Sequence, residues 1–252
     1  MTEQQALFKY CVRLGDNALI QSYRLAEWCS NAPMLEEDLA LTNMALDMTG
    51  RAQMLLQYAG SISGEGQTSD DLAYRRSEPE YRNNLISELP DNDFAFVMVK
   101  QMFTSTFEYF LYLALMESSD KTLAAIAAKS VKEARYHMAH TSDWVVRLGD
   151  GTGESNRRAQ EAVNALWPYT GELFETDDVD RLLQEKGVAA NLEQIQIWWR
   201  QYVIETIPAA KLELPSDDYQ HTGGRIGVHT EYLGHILSEM QYLQRAYPDA
   251  KW

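Results

Sequence analysis

The amino-acid sequence predicts an all-α protein, a bundle of long amphipathic helices. Apolar residues recur at intervals of three and four along several extended stretches, and no stretch alternates with the period of two that marks a strand. Glycine and proline clusters such as Asn31-Ala32-Pro33 and Gly149-Asp150-Gly151 punctuate those stretches. At 252 residues with 45% hydrophobic side chains, the chain has ample material for a core and is read as one domain spanning residues 1–252.

Taken in order, Leu7, Tyr10, Cys11 and Leu14 define a short helix from Glu3 to Leu14, and Gly15-Asp16-Asn17 is expected to break it. A second helix, to about Ser30, carries Leu19, Tyr23, Ala26 and Glu27 on one stripe. From Leu35 to about Ala59, Leu35, Leu39, Thr42, Leu46, Thr49 and Gln53 form a seam, with Asn43, Asp47, Gly50 and Met54 beside it. A carboxylate flanked by two such rows, Asp47, is expected to be at least half buried.

Between Gly60 and Asp93 the composition turns to Gly, Ser, Asp, Glu and Arg, which reads as a long connection with one short helix near Pro79 to Ser87. One long crossover is a feature of ferritin-like four-helix bundles, and the fold class is predicted as that bundle with additional helices. Phe94 to Ser118 is apolar nearly all round, so it belongs between other helices or at a subunit interface. Lys121 to Leu148 follows, with an inward row of Ala127, Ser130, Ala134, His137 and Thr141. Helices at about Ser155 to Phe174, a short one ending at Lys186, Leu192 to Ile207 and Thr230 to Tyr247 complete the chain, with a loop from Ala209 to Gly227.

Function classes can be excluded as well. A net charge of −15 argues against nucleic acid and anionic membrane, and favours a partner with a basic surface. No apolar run reaches the roughly 18 residues of a membrane span. There is no secretory signal at the N-terminus, and two cysteines, Cys11 and Cys29, are too few for a disulfide framework. Free buried thiols in a soluble cytoplasmic protein are expected.

The stretch Ser130-Val-Lys-Glu-Ala-Arg-Tyr-His137-Met-Ala-His140 carries the most chemistry. Helical bundles that hold two metal ions use Glu-x-x-His, which places a carboxylate and an imidazole on one face. Here Ala134 stands three residues before His137, and Glu133 is turned away by one position. Glu133, His137 and His140 make a row that admits a metal ion or, more plainly, a hydrogen-bonded core histidine. Glu231, His235 and Glu239 repeat the spacing in the last helix, where a solvated face is the simpler account. Thr222-Gly-Gly-Arg225 offers N–H groups and a guanidinium to a phosphate, or is an ordinary turn.

Arg13-Leu-Gly-Asp-Asn17, Leu25-Ala-Glu-Trp-Cys29, Ala32-Pro33, Asp38-Leu-Ala-Leu41, Lys132-Glu-Ala-Arg-Tyr-His137, Thr222-Gly-Gly224, His229-Thr-Glu231 and Glu239-Met-Gln-Tyr-Leu-Gln-Arg245 together resemble the structural-subunit family of bacterial phenylacetyl-CoA epoxidases. The resemblance runs from near residue 10 to Trp252. It implies a ferritin-like fold and a related catalytic subunit that carries a di-iron centre, with further small bridging and reductase subunits. It also implies a complex that uses O2 and delivered electrons to epoxidise the ring of phenylacetyl-CoA.

Carried across by that resemblance, the catalytic subunit's ligand positions fall at about Tyr23, Asp47, Gly50, Ser105, Ala134 and His137. Two of the six keep a ligating type, so no metal and no cofactor are expected in this chain, and no catalytic residue. Asp47 is then expected to find His137, a cation or ordered water. Arg225 is the candidate contact for a CoA phosphate. An iron-binding oxygenase or iron store using Glu133, His137, His140 and Asp47, and a free-standing acyl-CoA-binding protein, are the alternatives.

Overall fold

A computed structural model describes residues 1–248 and 250. Among them the secondary structure is all-helical, with no strand, as the periodicity predicts. The fold gathers into two compact units, Met1–Pro90 with the chain from Gly223 onward, and Asp91–Thr222. Two long helix pairs, one in each unit, are the elements of the predicted ferritin-like class.

In the first unit, α1 (Glu3–Ala26) packs along α2 (Leu35–Ser63). The sequence predicts two helices where α1 runs unbroken, and the break signals prove to be packing devices. A methyl group at Gly15 would come within 2.7 Å of Leu56 Cδ2, so the bare glycine lets α2 lie close. Asp16, fully buried, points away from its own backbone toward Arg76 and the amide of Arg82. Neither residue ends the helix.

The expected connection contains α3 (Ser69–Tyr74) and single 3-10 turns at Glu78–Glu80 and Leu85–Glu88. Much of it is interior: Tyr81, Ile86 and Glu88 are fully buried. Five helices of the second unit intervene in the chain, and the terminal helix is then two, α9 (Glu231–Met240) and α10 (Tyr242–Ala246). At their junction Gln241 turns its amide to the Arg76 carbonyl and the Tyr81 hydroxyl, both at 2.9 Å. Cys11, Ile20, Leu56, Ala59, Leu233 and Ile236 close this unit's core.

One expectation about α2 is reversed. Its buried residues include Ala40, Leu41, Met44, Ala45, Met48, Ala52, Leu55 and Leu56, while Leu35, Leu39 and Leu46 are 68%, 54% and 64% exposed. The leucine seam is an outer face, and the helix carries apolar residues on two sides.

The second unit pairs α4 (Phe94–Leu115) with α5 (Lys121–Gly149), and sets α6 (Gly153–Leu166), α7 (Asp178–Glu185) and α8 (Leu192–Ala209) around them. The expected helix through Phe174 stops at Leu166, because Pro168 removes an amide donor, and 3-10 turns at Trp167–Tyr169 and Gly171–Phe174 replace it. Phe103 packs edge-on to Trp167 with centroids 5.9 Å apart, and Trp199 donates its indole N–H to the Phe103 carbonyl at 2.8 Å. Lys100 and Asp91, each 1% exposed, are ion-paired at 2.6 Å. No helix among the described residues is long and apolar enough to cross a membrane.

At the end of α5 a Cβ on Gly149 would stand 2.0 Å from the carbonyl oxygen of Ala210. Alanine is favoured over glycine in a helix by about 1 kcal/mol, but overlap with backbone costs about 1–3 kcal/mol. Gly149→Ala is therefore expected to destabilise the protein in urea titration. A gain in stability would show that the two helix ends part freely.

Candidate functional site

The candidate centre lies on α4 and α5, which run antiparallel across the short connection after Leu115. Counting 1.5 Å per residue back from that connection sets Ser105 level with roughly residue 131, and Gln101 with roughly residue 135. Ser105, Ala127, Ser130, Ala134, His137 and Thr141 are all fully buried. The inward row read from the sequence is thus the inward row of α5.

The hydroxyls of that row turn back on their own helix. Ser130 donates to the Ile126 carbonyl at 3.0 Å and Thr141 to the His137 carbonyl at 2.8 Å, as hydroxyls one turn along a helix do. On α4, Thr104 and Thr106 bind the Lys100 and Met102 carbonyls in the same way. The Ser105 hydroxyl and both polar atoms of the Gln101 amide are buried without a hydrogen-bond partner. Such groups suit interior water; being neutral, they cannot offset the charge of a metal pair.

On either side of His137, Glu133 and His140 are only partly buried, and the His140 ring stacks on Tyr136 at 5.6 Å. In the first unit, Tyr23 donates to Glu239 at 2.7 Å; burial, then that hydrogen bond and the carboxylate's charge, push its phenol up to about 12. Asp47 and Gly50 are partly exposed, and a Cβ on Gly50 would meet nothing within 4 Å. Among the described residues no three His, Cys, Asp or Glu side chains form a group that could hold a metal ion. A di-iron group takes several carboxylates, and the side chains present do not fit one.

Arg225 lies in the 3-10 turn Gly224–Ile226 and is 9% exposed. The side chain is thus largely withdrawn from solvent. Gly223 and Gly227 there have φ of +138° and +84°, a conformation that favours glycine, so these two glycines serve the backbone. Glu231, His235 and Glu239 are exposed, as a solvated face requires. Cys11 is a free buried thiol, but Cys29 is exposed, a correction to the expectation for both.

Sequence reasoning passes over the most elaborate polar arrangement in the first unit, which is centred on Glu88. Its carboxylate accepts from Asn83 at 2.9 Å, from His229 Nδ1 at 2.6 Å, and from the Thr230 amide and hydroxyl at 2.8 and 2.6 Å. Its carbonyl accepts from Arg24 at 2.8 Å. Nearby, Asp16 binds Arg76 and the Arg82 amide, and Asn17 accepts from the Asn84 amide at 2.7 Å. Asp16, Asn17, His229 and Thr230 all fall within motifs that carry the family resemblance, so these motifs mark a structural hub.

All of residues 1–252 match the model of the family described as phenylacetic acid catabolic protein. Over 246 residues the chain is 45% identical to a subunit of the 1,2-phenylacetyl-CoA epoxidase of Escherichia coli (strain K12), covering 98% of this chain and 99% of that relative. This chain belongs to the phenylacetic acid catabolic protein family.

Proposed function

We propose that this chain is a non-catalytic subunit of a multicomponent phenylacetyl-CoA 1,2-epoxidase, bracing a related di-iron catalytic subunit during aerobic phenylacetate degradation in the cytoplasm. The observation that carries this reading is the interior of α4 and α5. Ser105 and Ala134 stand where the resemblance sets carboxylates, and the neighbouring hydroxyls are engaged with their own helices. Similarity along nearly the whole length of an epoxidase subunit supplies the context. Electrons arrive through a separate reductase subunit, and the di-iron cofactor belongs to the partner. This chain supplies shape and position, while contact with the acyl-CoA is secondary.

The alternative of an iron-binding oxygenase in its own right asks for donors that are not gathered among the described residues. Elemental analysis and a sizing column separate the two readings. Mixed with the purified catalytic subunit, the chain is expected to co-elute, with iron following the partner alone. Near-stoichiometric iron on this chain that disappears in His137→Ala would establish the oxygenase instead. Failure to co-elute at any salt concentration would remove the bracing role.

A further inference from the structure

The outward seam of α2 answers to nothing else in the fold. Leu35, Leu39, Thr42, Leu46, Thr49 and Gln53 are spaced four and three residues apart in strict alternation, the spacing by which one helix offers knobs and holes to another. Its three leucines are more than half exposed, and Met34, 46% exposed, extends the apolar surface at the N-terminal end. The seam runs about 27 Å along the helix. Because the opposite side of α2 already fills the core, these leucines contribute little to folding.

We propose that this seam receives an α-helix of the catalytic partner subunit, one that presents an apolar row at matching spacing and a lysine or arginine at the end meeting Leu35. This rests on the bracing role argued above and specifies where it is exercised. Three observations select the occupant. The spacing calls for a helix and not an extended strand. At the Leu35 end the seam is flanked by Glu36 and Asp38, and the outward face carries no lysine or arginine from Leu35 to Gly50. Farther along, the flanking residues are Asn43, the single carboxylate Asp47, and Gly50, and space beside Gly50 is open, so a partner backbone can come close. A second copy of this chain is disfavoured, since each carries a net charge of −15.

The test is Leu39→Glu combined with Leu46→Glu in the full chain, titrated against the purified catalytic subunit. The variant is expected to melt within about 2 °C of the parent, because exposed side chains change stability little, and to bind at least 100-fold more weakly. Glu36→Lys is expected to weaken binding several-fold and to reduce its salt dependence; tighter binding would overturn the basic end of the occupant. Binding by the double variant within threefold of the parent would overturn the inference and leave the bracing role standing. So would a parent that is dimeric alone and monomeric with both glutamates, its partner binding unchanged. A variant that cannot fold would place the leucines in the core and equally overturn it. If the parent chain binds no subunit at all, the bracing role itself fails.

Discussion

Asp16→Ala is expected to lower the free energy of unfolding by about 3–5 kcal/mol, the usual result of removing one member of a buried ion pair. Asp16 is fully buried, receives both terminal nitrogens of Arg76 and also caps the Arg82 amide. Arg76 in turn lies over the Tyr81 ring, 4.2 Å from its centroid, and donates to the Leu72 and Glu80 carbonyls. Truncating Asp16 leaves that buried guanidinium without its carboxylate and frees an amide at the start of the 82–88 segment. Against a total stability of about 5–15 kcal/mol, the loss is large. Pairing Asp16→Ala with Arg76→Met should restore part of it, since no charge is then left unmatched. A single-variant loss below about 1 kcal/mol in urea titration would mean that water reaches the pair.

These residues show why some of the structure could be read from the sequence and some could not. The inward row of α5 was legible because helical spacing alone selects Ala127, Ser130, Ala134, His137 and Thr141. The same spacing misleads on α2, where two apolar faces coexist and periodicity does not say which one meets the core. At Gly15-Asp16 the local signal for a break is genuine, but it is overridden by a neighbour 41 positions along in Leu56 and an ion partner 60 positions along in Arg76. Contacts between distant positions leave no mark in a window of one helix. In the candidate site, serine at 105 and alanine at 134, where the resemblance implies ligands, are visible in the sequence, whereas the return of the neighbouring hydroxyls to their own carbonyls is not. Glu88 was missed for a similar reason: it sits in a polar stretch without periodicity, and only its partners reveal that it is interior.

Glu88 also makes stability depend on pH. Both nitrogens of the His229 ring face acceptors, Nδ1 the Glu88 carboxylate at 2.6 Å and Nε2 the Tyr81 carbonyl at 3.1 Å, so the doubly protonated cation fits best. Burial alone would lower its pKa; the hydrogen bond and charge of Glu88, with the Tyr81 carbonyl, outweigh it and raise the pKa above the ordinary 6.5. The native state therefore holds this proton more tightly than the unfolded chain. Its stabilisation is complete below about 6.5 and drains away as pH climbs through the raised native value. His229→Ala should remove that slope, and Glu88→Gln should flatten it while keeping the Thr230 contacts. Glu88→Ala is expected to cost about 3–5 kcal/mol near pH 6. It should also strip hydrogen-exchange protection from α9 first, because Thr230, the N-cap of that helix, is held by the same carboxylate. An unchanged slope in His229→Ala would assign the pH dependence to another group, and unaltered protection in Glu88→Ala would show that α9 is held by its apolar face through Leu233 and Ile236 alone.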